Sequence, residues 1–338
     1  MALTPIDETH ALQIQAGTLG RKAGHAFEDT ITNKINGRHY PAKFEQTLLP
    51  NVASGDPADL LLQYICLSCD ENEISSAVAI STGALATSEE GKKWLSINGA
   101  DVRRCKSDLV LTLRFASGRE STFGVSTKQC NNRTPTNAQL YFTTARGFVN
   151  LLRNSGIDVS DLALTGLRKF CGDQGFRPLD LEQNIDSREV DPRRYFWEEI
   201  GDAALGEWAN LFSNQQDAIT RLLLQKAYMD DPFIPDFVLH KTKASPSWHQ
   251  TEVAIYSIEE LISLSRAYQG YNTRPYSVRK GSYRDPVGVT HEAPRFGIVQ
   301  MQRGGQQQHP DQLQFNLEAG YFYKIGNSSQ QVLSDSES

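Results

Sequence analysis

The stretch KSDLVLTLRFASGRESTFGVSTK, residues 106–128, decides how this sequence folds. Asp108–Arg114 (DLVLTLR) is rich in Leu and Val and predicts a strand. Ser117-Gly118-Arg119-Glu120 supplies a turn, and Ser121–Thr127 (STFGVST) a second strand. Two such runs about one turn make an antiparallel hairpin whose open ends lie side by side. Asp108 opens the first strand, and Lys128 closes the second, two residues after the small polar Ser126. The hairpin therefore brings a carboxylate and an ammonium to one spot.

Phosphodiester hydrolysis needs such a spot. A carboxylate holds Mg²⁺, which polarises the phosphate and lowers the pKa of bound water. A lysine positions or deprotonates the attacking water and offsets charge on the phosphate. A further carboxylate often arrives from a helix. Gly20–Asn36 predicts one, with Ala23, Phe27, Ile31 and Ile35 at steps of four, and Glu28 lies on it.

These residues resemble the PD-(D/E)XK nuclease superfamily, and most of all its type II restriction endonucleases. The resemblance is carried by Gly24–Glu28 (GHAFE), Lys106–Leu111 (KSDLVL) and Gly124–Lys128 (GVSTK), with a late segment, Phe296–Leu317, similar to closing segments of restriction enzymes. The matching pieces cover about a third of the chain. The resemblance implies an α/β fold with a central mixed sheet flanked by helices. It makes Asp108 the metal-binding aspartate, Lys128 the catalytic lysine and Glu28 the helical glutamate, with Thr127 beside them at the metal. There are two departures. Ser107 stands in place of the proline, and Ser126 in place of the second metal carboxylate. Glu28 or Glu120 could replace that carboxylate. The activity implied is Mg²⁺-dependent cleavage of double-stranded DNA at a short specific site, leaving 5′-phosphate and 3′-hydroxyl ends. The partners implied are a second copy of the chain, because a palindromic site matches a two-fold axis, and a DNA methyltransferase acting on the same site.

The composition is compatible with this. The chain has 338 residues, 39% hydrophobic and 22% charged, enough for one large domain or two ordinary ones. Collagen, long coiled coil, wholesale disorder and a disulfide-dense miniprotein are excluded. The N-terminus MALTPIDETH is acidic and lacks an apolar core, so no signal peptide is expected, and no apolar stretch reaches membrane-spanning length. Five cysteines suit reduced thiols in a prokaryotic cytoplasm. The net charge of −6 hides a pattern: residues 101–153 hold nine Lys/Arg against three Asp/Glu, and residues 266–303 seven against two. Two basic blocks flank an acidic one over 158–236, and a DNA-binding face needs only local positive potential.

DNA contacts are expected from two segments. The loop Gln129–Asn137, with Gln129, Asn131, Asn132, Arg133 and Asn137, directly follows Lys128. The late block carries Arg279, Lys280, Gln300, Gln302, Arg303, Gln306 and His309, residue types that read base edges in the major groove or hold phosphates. Residues 20–155 are expected to hold the nuclease core. A helical segment and a recognition region follow over 156–330, within the same domain or a second one, and 331–338 form a disordered tail.

Three other constellations compete. Pro235-Asp236 with Glu252-Val253-Ala254 has nuclease-like spacing but alanine where lysine is needed. Asp59 with Glu90 and Lys92 puts two of its members on an expected helix. Cys66 and Cys69 have the spacing of half a zinc site, without a second half. No GxSxG, GxGxxG or Walker loop is present. Two other functions remain open: a repair or recombination nuclease of the same superfamily, and a non-catalytic DNA-binding protein.

Along the rest of the chain, helices are expected at Ser88–Leu95, Ala138–Arg153, Tyr195–Phe212, Gln215–Met229 and Ile258–Tyr268, and strands at Phe233–Lys241, Thr251–Ser257, Arg295–Arg303 and Leu313–Leu317. Leu60–Leu67 fits either strand or buried helix.

Overall fold

The computed structural model describes residues 25–47, 49–82, 95–102, 105–226, 231–279, 283–303 and 312–325. The expected tail, most of the expected helix at Ser88–Leu95, and Lys280, Gln306 and His309 lie outside them. The chain divides into two compact units. The first joins Met1–Ala138, Gln225–Leu261 and Ala319–Ser338; the second joins Gln139–Leu224 and Ile262–Glu318. None of the described helices is long and apolar enough to cross a membrane.

The first unit is built on a seven-stranded mixed sheet. Its strands are β1 (Ala42–Lys43), β2 (Val52–Gly55), β3 (Glu73–Ser81), β6 (Leu109–Phe115), β7 (Glu120–Gln129), β9 (Pro235–Lys241) and β10 (Thr251–Ser257). A short pair, β4 (Leu95–Ile97) and β5 (Ala100–Val102), lies between β3 and β6 in the chain. The spatial order is β1-β3-β6-β7-β9-β10-β2. All neighbours are antiparallel except β7 and β9, which run parallel.

Two helices cover one face of this sheet. In α1 (residues 25–36), Phe27, Ile31 and Ile35 are buried at steps of four, as their spacing requires. α2 (Pro57–Ser68) settles the open reading of Leu60–Leu67 as helix: Asp56 caps it by accepting from the Ala58 N–H at 3.0 Å, and Pro57 opens it. Its Ala58, Leu61, Leu62 and Ile65 pack with the α1 residues against Leu109, Leu111, Val125, Phe237 and Leu239 of the sheet. Each fully buried aliphatic side chain here contributes roughly 1.5–3 kcal/mol. The architecture is the expected α/β class, a mixed sheet flanked by helices.

The second unit carries a five-stranded sheet, in the order β11 (Tyr271–Tyr276), β12 (His291–Phe296), β13 (Val299–Arg303), β14 (Gln312–Leu317), β8 (Ala138–Thr144). Its core is aromatic: Phe212 stacks on Phe296, and Phe148 packs on Phe315, both with ring centroids 4.5 Å apart.

Three expected elements differ. Arg295–Arg303 is a hairpin rather than one strand, because Gly297 turns at φ +52° where a Cβ would meet Gln216 Nε2 at 2.5 Å. Ala138–Arg153 is not one helix. Its first half is strand β8, rich in aromatic and Thr residues, and Thr144 caps the helix Ala145–Asn154 by accepting from the Gly147 N–H at 3.0 Å. Tyr195–Phe212 starts late, at Asp202, because Gly201 takes φ +103° and the chain before it forms only a short 3₁₀ turn.

Candidate active site

β7 changes partners along its length. Its antiparallel register with β6 ends at Leu109↔Val125, while its parallel register with β9 continues to Gln129↔Lys241. The β6-facing edge of residues 126–129 is thereby released from the ladder, and backbone donors there are available to side chains. Gly124 sits where the exchange begins, at a shift in register. A Cβ on it would lie 2.3 Å from both the Ile234 carbonyl oxygen and Ser107 Oγ, so only glycine fits. Its N–H donates to Asp236 Oδ2 at 2.8 Å.

Asp108 stands at the mouth of this fork. Its N–H donates to the Val125 carbonyl at 2.8 Å, and its carbonyl accepts from the Thr82 N–H at 3.0 Å. Ser107, fully buried, donates its hydroxyl to the Phe233 carbonyl at 2.6 Å. With its backbone fixed, the Asp108 carboxylate accepts from the Thr127 N–H at 2.7 Å and from the Ser126 hydroxyl at 3.2 Å. Lys128 Nζ lies 3.6 Å from the same oxygen and donates to Ser126 Oγ at 2.9 Å and to the Thr127 carbonyl at 2.7 Å. Ser126, in the position where a second carboxylate was sought, therefore links Asp108 to Lys128.

Glu28 reaches this group from α1. The Thr127 hydroxyl donates to Glu28 Oε1 at 2.8 Å, and His25 Nδ1 lies 3.4 Å from Oε2. Burial, reinforced by the negative charge of Asp108, pushes the Glu28 carboxyl up to about 7. Thr127 thus bridges the two carboxylates, by its N–H on one side and its hydroxyl on the other. The four residues Glu28, Asp108, Ser126 and Lys128 come together with Thr127 in one cluster. Glu120 does not join it: the hairpin places it at the far end of β7, opposite Arg114, with which it forms an ion pair at 3.1 Å.

The cluster suits one hard cation. Among the described residues no group of three or more His, Cys, Asp and Glu side chains could hold a metal. Mg²⁺, however, is commonly held by one or two carboxylates, with water and substrate phosphate completing its shell. Glu28 and Asp108 form such a pair, joined through the N–H and hydroxyl of Thr127.

Sequence reasoning did not single out three neighbours. Burial, with the charge of Lys128, draws the Lys106 ammonium down to about 7. His240 sits opposite Lys128 in the β7–β9 register, and burial draws its imidazole down to about 4. Lys241 follows beside Gln129. Lys106 was legible as part of the motif, whereas His240 and Lys241 depend on a strand pairing across more than 110 positions of sequence.

The competing constellations come apart. Asp236 begins β9 and holds the Gly124 N–H, whereas Glu252 begins the antiparallel β10 at the other end and binds Lys243 Nζ at 2.8 Å. Asp59 pairs with Arg38 at 2.8 Å, and Glu90 and Lys92 lie outside the described residues. Cys66 is buried in the apolar core, where burial pushes its thiol up to about 12, and among the described residues neither it nor Cys69 belongs to a group of three or more side chains that could hold a metal ion.

The expected DNA contacts fall on both units. Gln129 ends β7, and Asn131, Asn132 and Arg133 are exposed in the loop after it. Asn137 is exposed, and its side-chain oxygen accepts from the Ala319 N–H at 2.7 Å. In the second unit Arg279 is exposed, and Gln300 and Gln302 are half-buried on β13, where Gln302 Nε2 donates to Gln314 Oε1 at 3.4 Å. Arg303 turns into its unit, with Nη1 3.9 Å from Asp191 Oδ2.

No protein-family model matches this sequence, and no curated protein does. Among solved structures the chain is similar to a crystal structure of the restriction endonuclease MspI in complex with its cognate DNA. The TM-score is 0.42 at 12% identity, covering 76% of this chain and 75% of that one.

Proposed function

We propose that the protein is a metal-dependent nuclease that cuts double-stranded DNA at a short specific site, in the manner of type II restriction endonucleases. The observation that carries this reading is the convergence of Glu28 from a helix and Asp108, Ser126, Thr127 and Lys128 from the mouth of one hairpin. Glu28 and Asp108 would hold Mg²⁺, with the Thr127 carbonyl as a further hard oxygen beside them. When bound, the ion supplies charge stabilisation for the phosphate and a water acidic enough to attack it. Lys128 orients that water and offsets negative charge developing on the phosphate. Ser126 holds Lys128 against Asp108, so the ammonium is placed before DNA arrives. In-line attack of water would leave 5′-phosphate and 3′-hydroxyl ends.

The same reading carries partners. A palindromic site is matched by a two-fold pair of chains. An enzyme that cuts short sites requires a methyltransferase to protect the DNA of its own prokaryotic cytoplasm.

Digestion of unmethylated phage DNA tests the proposal. Wild type with Mg²⁺ should give discrete bands, lost with EDTA and lost in Asp108→Ala. Bands that survive Asp108→Ala would sink the assignment of the site. A smear without bands, or cleavage confined to branched substrates, would favour a repair nuclease. DNA binding without cleavage, equal with and without Mg²⁺, would favour a binding protein.

A further inference from the structure

The strand pair beyond the cluster holds a cation of a different kind from its neighbours. Most described basic side chains of this sheet and its helices end on a carboxylate: Lys34 on Asp56, Arg38 on Asp59, Arg114 on Glu120, Arg119 on Glu71 and Lys243 on Glu252. Lys241 ends on an amide. Its Nζ donates to Asn131 Oδ1 at 2.8 Å, and among the described residues no carboxylate lies within 4 Å of it. Burial holds this ammonium below its ordinary range, so it has lost water without gaining a counter-charge.

Its position follows from register. Gln129↔Lys241 is the step after Lys128↔His240. Because side chains alternate along a strand, Lys241 shares a face with Leu239 and Phe237, the face that α1 covers and from which Thr127 meets Glu28. Lys241 therefore stands past Thr127 and Glu28 on the face that α1 covers, whereas Asp108 meets Ser126 and Lys128, the alternate side chains of β7. The loop next to it is built rather than loose. The Cys130 N–H donates to the Lys241 carbonyl at 2.8 Å, and the Ala244 N–H donates to the Asn132 carbonyl at 2.8 Å. The buried Cys130 sulfur accepts from the Thr136 hydroxyl at 3.5 Å. This frame presents Arg133 in the open, beside the tethered Asn131.

We propose that Lys241, with Arg133 and Asn131 on the loop it braces, is a phosphate-binding clamp that holds a DNA phosphate next to the one being cut. This rests on the nuclease reading above and adds a binding site to it. A lysine with two donors to spare, a guanidinium and an amide suit a phosphate diester. The clamp fixes the register of the DNA strand over Glu28 and Asp108 and carries no sequence information.

The test is binding of a short duplex carrying the mapped cleavage site, measured in EDTA over a range of salt, for wild type, Lys241→Met, Lys241→Gln and Lys241→Arg. Lys241→Met should bind on the order of tenfold more weakly at low salt. Its slope of log affinity against log salt should be shallower by about 0.9, the loss of one phosphate contact. Turnover at saturating DNA with Mg²⁺ should stay within about twofold of wild type, so the loss lies in KM. Lys241→Arg should restore the slope. A duplex with one methylphosphonate beside the cut should bind wild type more weakly and leave Lys241→Met unaffected. Melting curves identify a variant that does not fold. Should Lys241→Met fail that check, Lys241→Gln, which keeps a polar partner for Asn131, is read in its place. An unchanged slope in a folded variant, or an equal loss in kcat, would overturn the clamp while leaving a wild type that cuts DNA intact. A wild type that neither binds nor cuts DNA would overturn the nuclease reading itself.

Discussion

Glu28 and His240 are both buried titratable groups of the first unit, and folding pushes them in opposite directions. The folded chain holds a proton on Glu28 up to about pH 7, above the ordinary 4.5, so the stability linked to Glu28 is full below pH 4.5 and is lost as pH rises towards 7. His240 is held neutral down to about pH 4, below the ordinary 6.5, so its contribution is full above pH 6.5 and is lost as pH falls towards 4. Each shift is worth up to about 3 kcal/mol. The two slopes overlap and largely cancel in the wild type. Urea melts of metal-free protein should therefore show a flat profile between pH 4 and about 6.5, with a rise from about pH 7 upwards where Lys106, drawn down to about 7, loses its proton in the folded chain first. Glu28→Gln should convert the flat part to one that rises with pH, and His240→Asn to one that falls. Parallel profiles for all three proteins would mean that neither group is perturbed. Glu28→Gln should also exceed wild type in stability at pH 8 without metal, yet lose cleavage. Mg²⁺ should raise the melting temperature of wild type at pH 8 and leave this variant unmoved, because only a ligand bound to the folded state stabilises it.

At the scale of elements, the site exists because β7 leaves β6 and keeps β9. The exchange begins at Gly124, where the backbone of Ile234 and the hydroxyl of Ser107 occupy the space of a side chain. Gly124→Ala should cost about 1–3 kcal/mol, the usual range for overpacking. Since the Ile234 oxygen belongs to backbone just before β9, relief requires the two strands to part. Cleavage should then fall further than stability explains, measured at a temperature where the variant is fully folded. A variant that loses stability but keeps full activity would show that the fork tolerates separation. Ser107 bears on the same joint. It stands where the resemblance suggested proline, and its buried hydroxyl ties the segment before β6 to the segment before β9.

At the scale of the whole molecule, the hairpin residues and helix α1 place the cluster of Glu28, Asp108 and Lys128 within the first unit, while the arginine- and glutamine-rich late block falls in the second. A cutter of palindromic sites made of such chains should act in pairs. Sedimentation with a duplex carrying the site, in EDTA, should show two chains per duplex, and mapped sites should read the same on both strands. One chain per duplex with an asymmetric site would show that a single copy acts alone.

What was legible in the sequence was local. The hairpin over residues 108–128 and the buried face of α1 follow from alternation, turn chemistry and a step of four, which neighbours along the chain decide among themselves. So did the opposition of Asp108 and Lys128, since an antiparallel turn returns its own ends together. Tertiary structure decided the rest. Only the parallel register of β7 with β9 sets His240 and Lys241 beside Lys128 and Gln129, and only the packing of α1 brings Glu28 rather than Glu120 to Thr127. Burial, which pushes the Glu28 carboxyl up and the His240 imidazole down, belongs to the assembled core. Pairings across more than a hundred residues are chosen by which apolar faces can close on one another, and no stretch of sequence carries that choice alone.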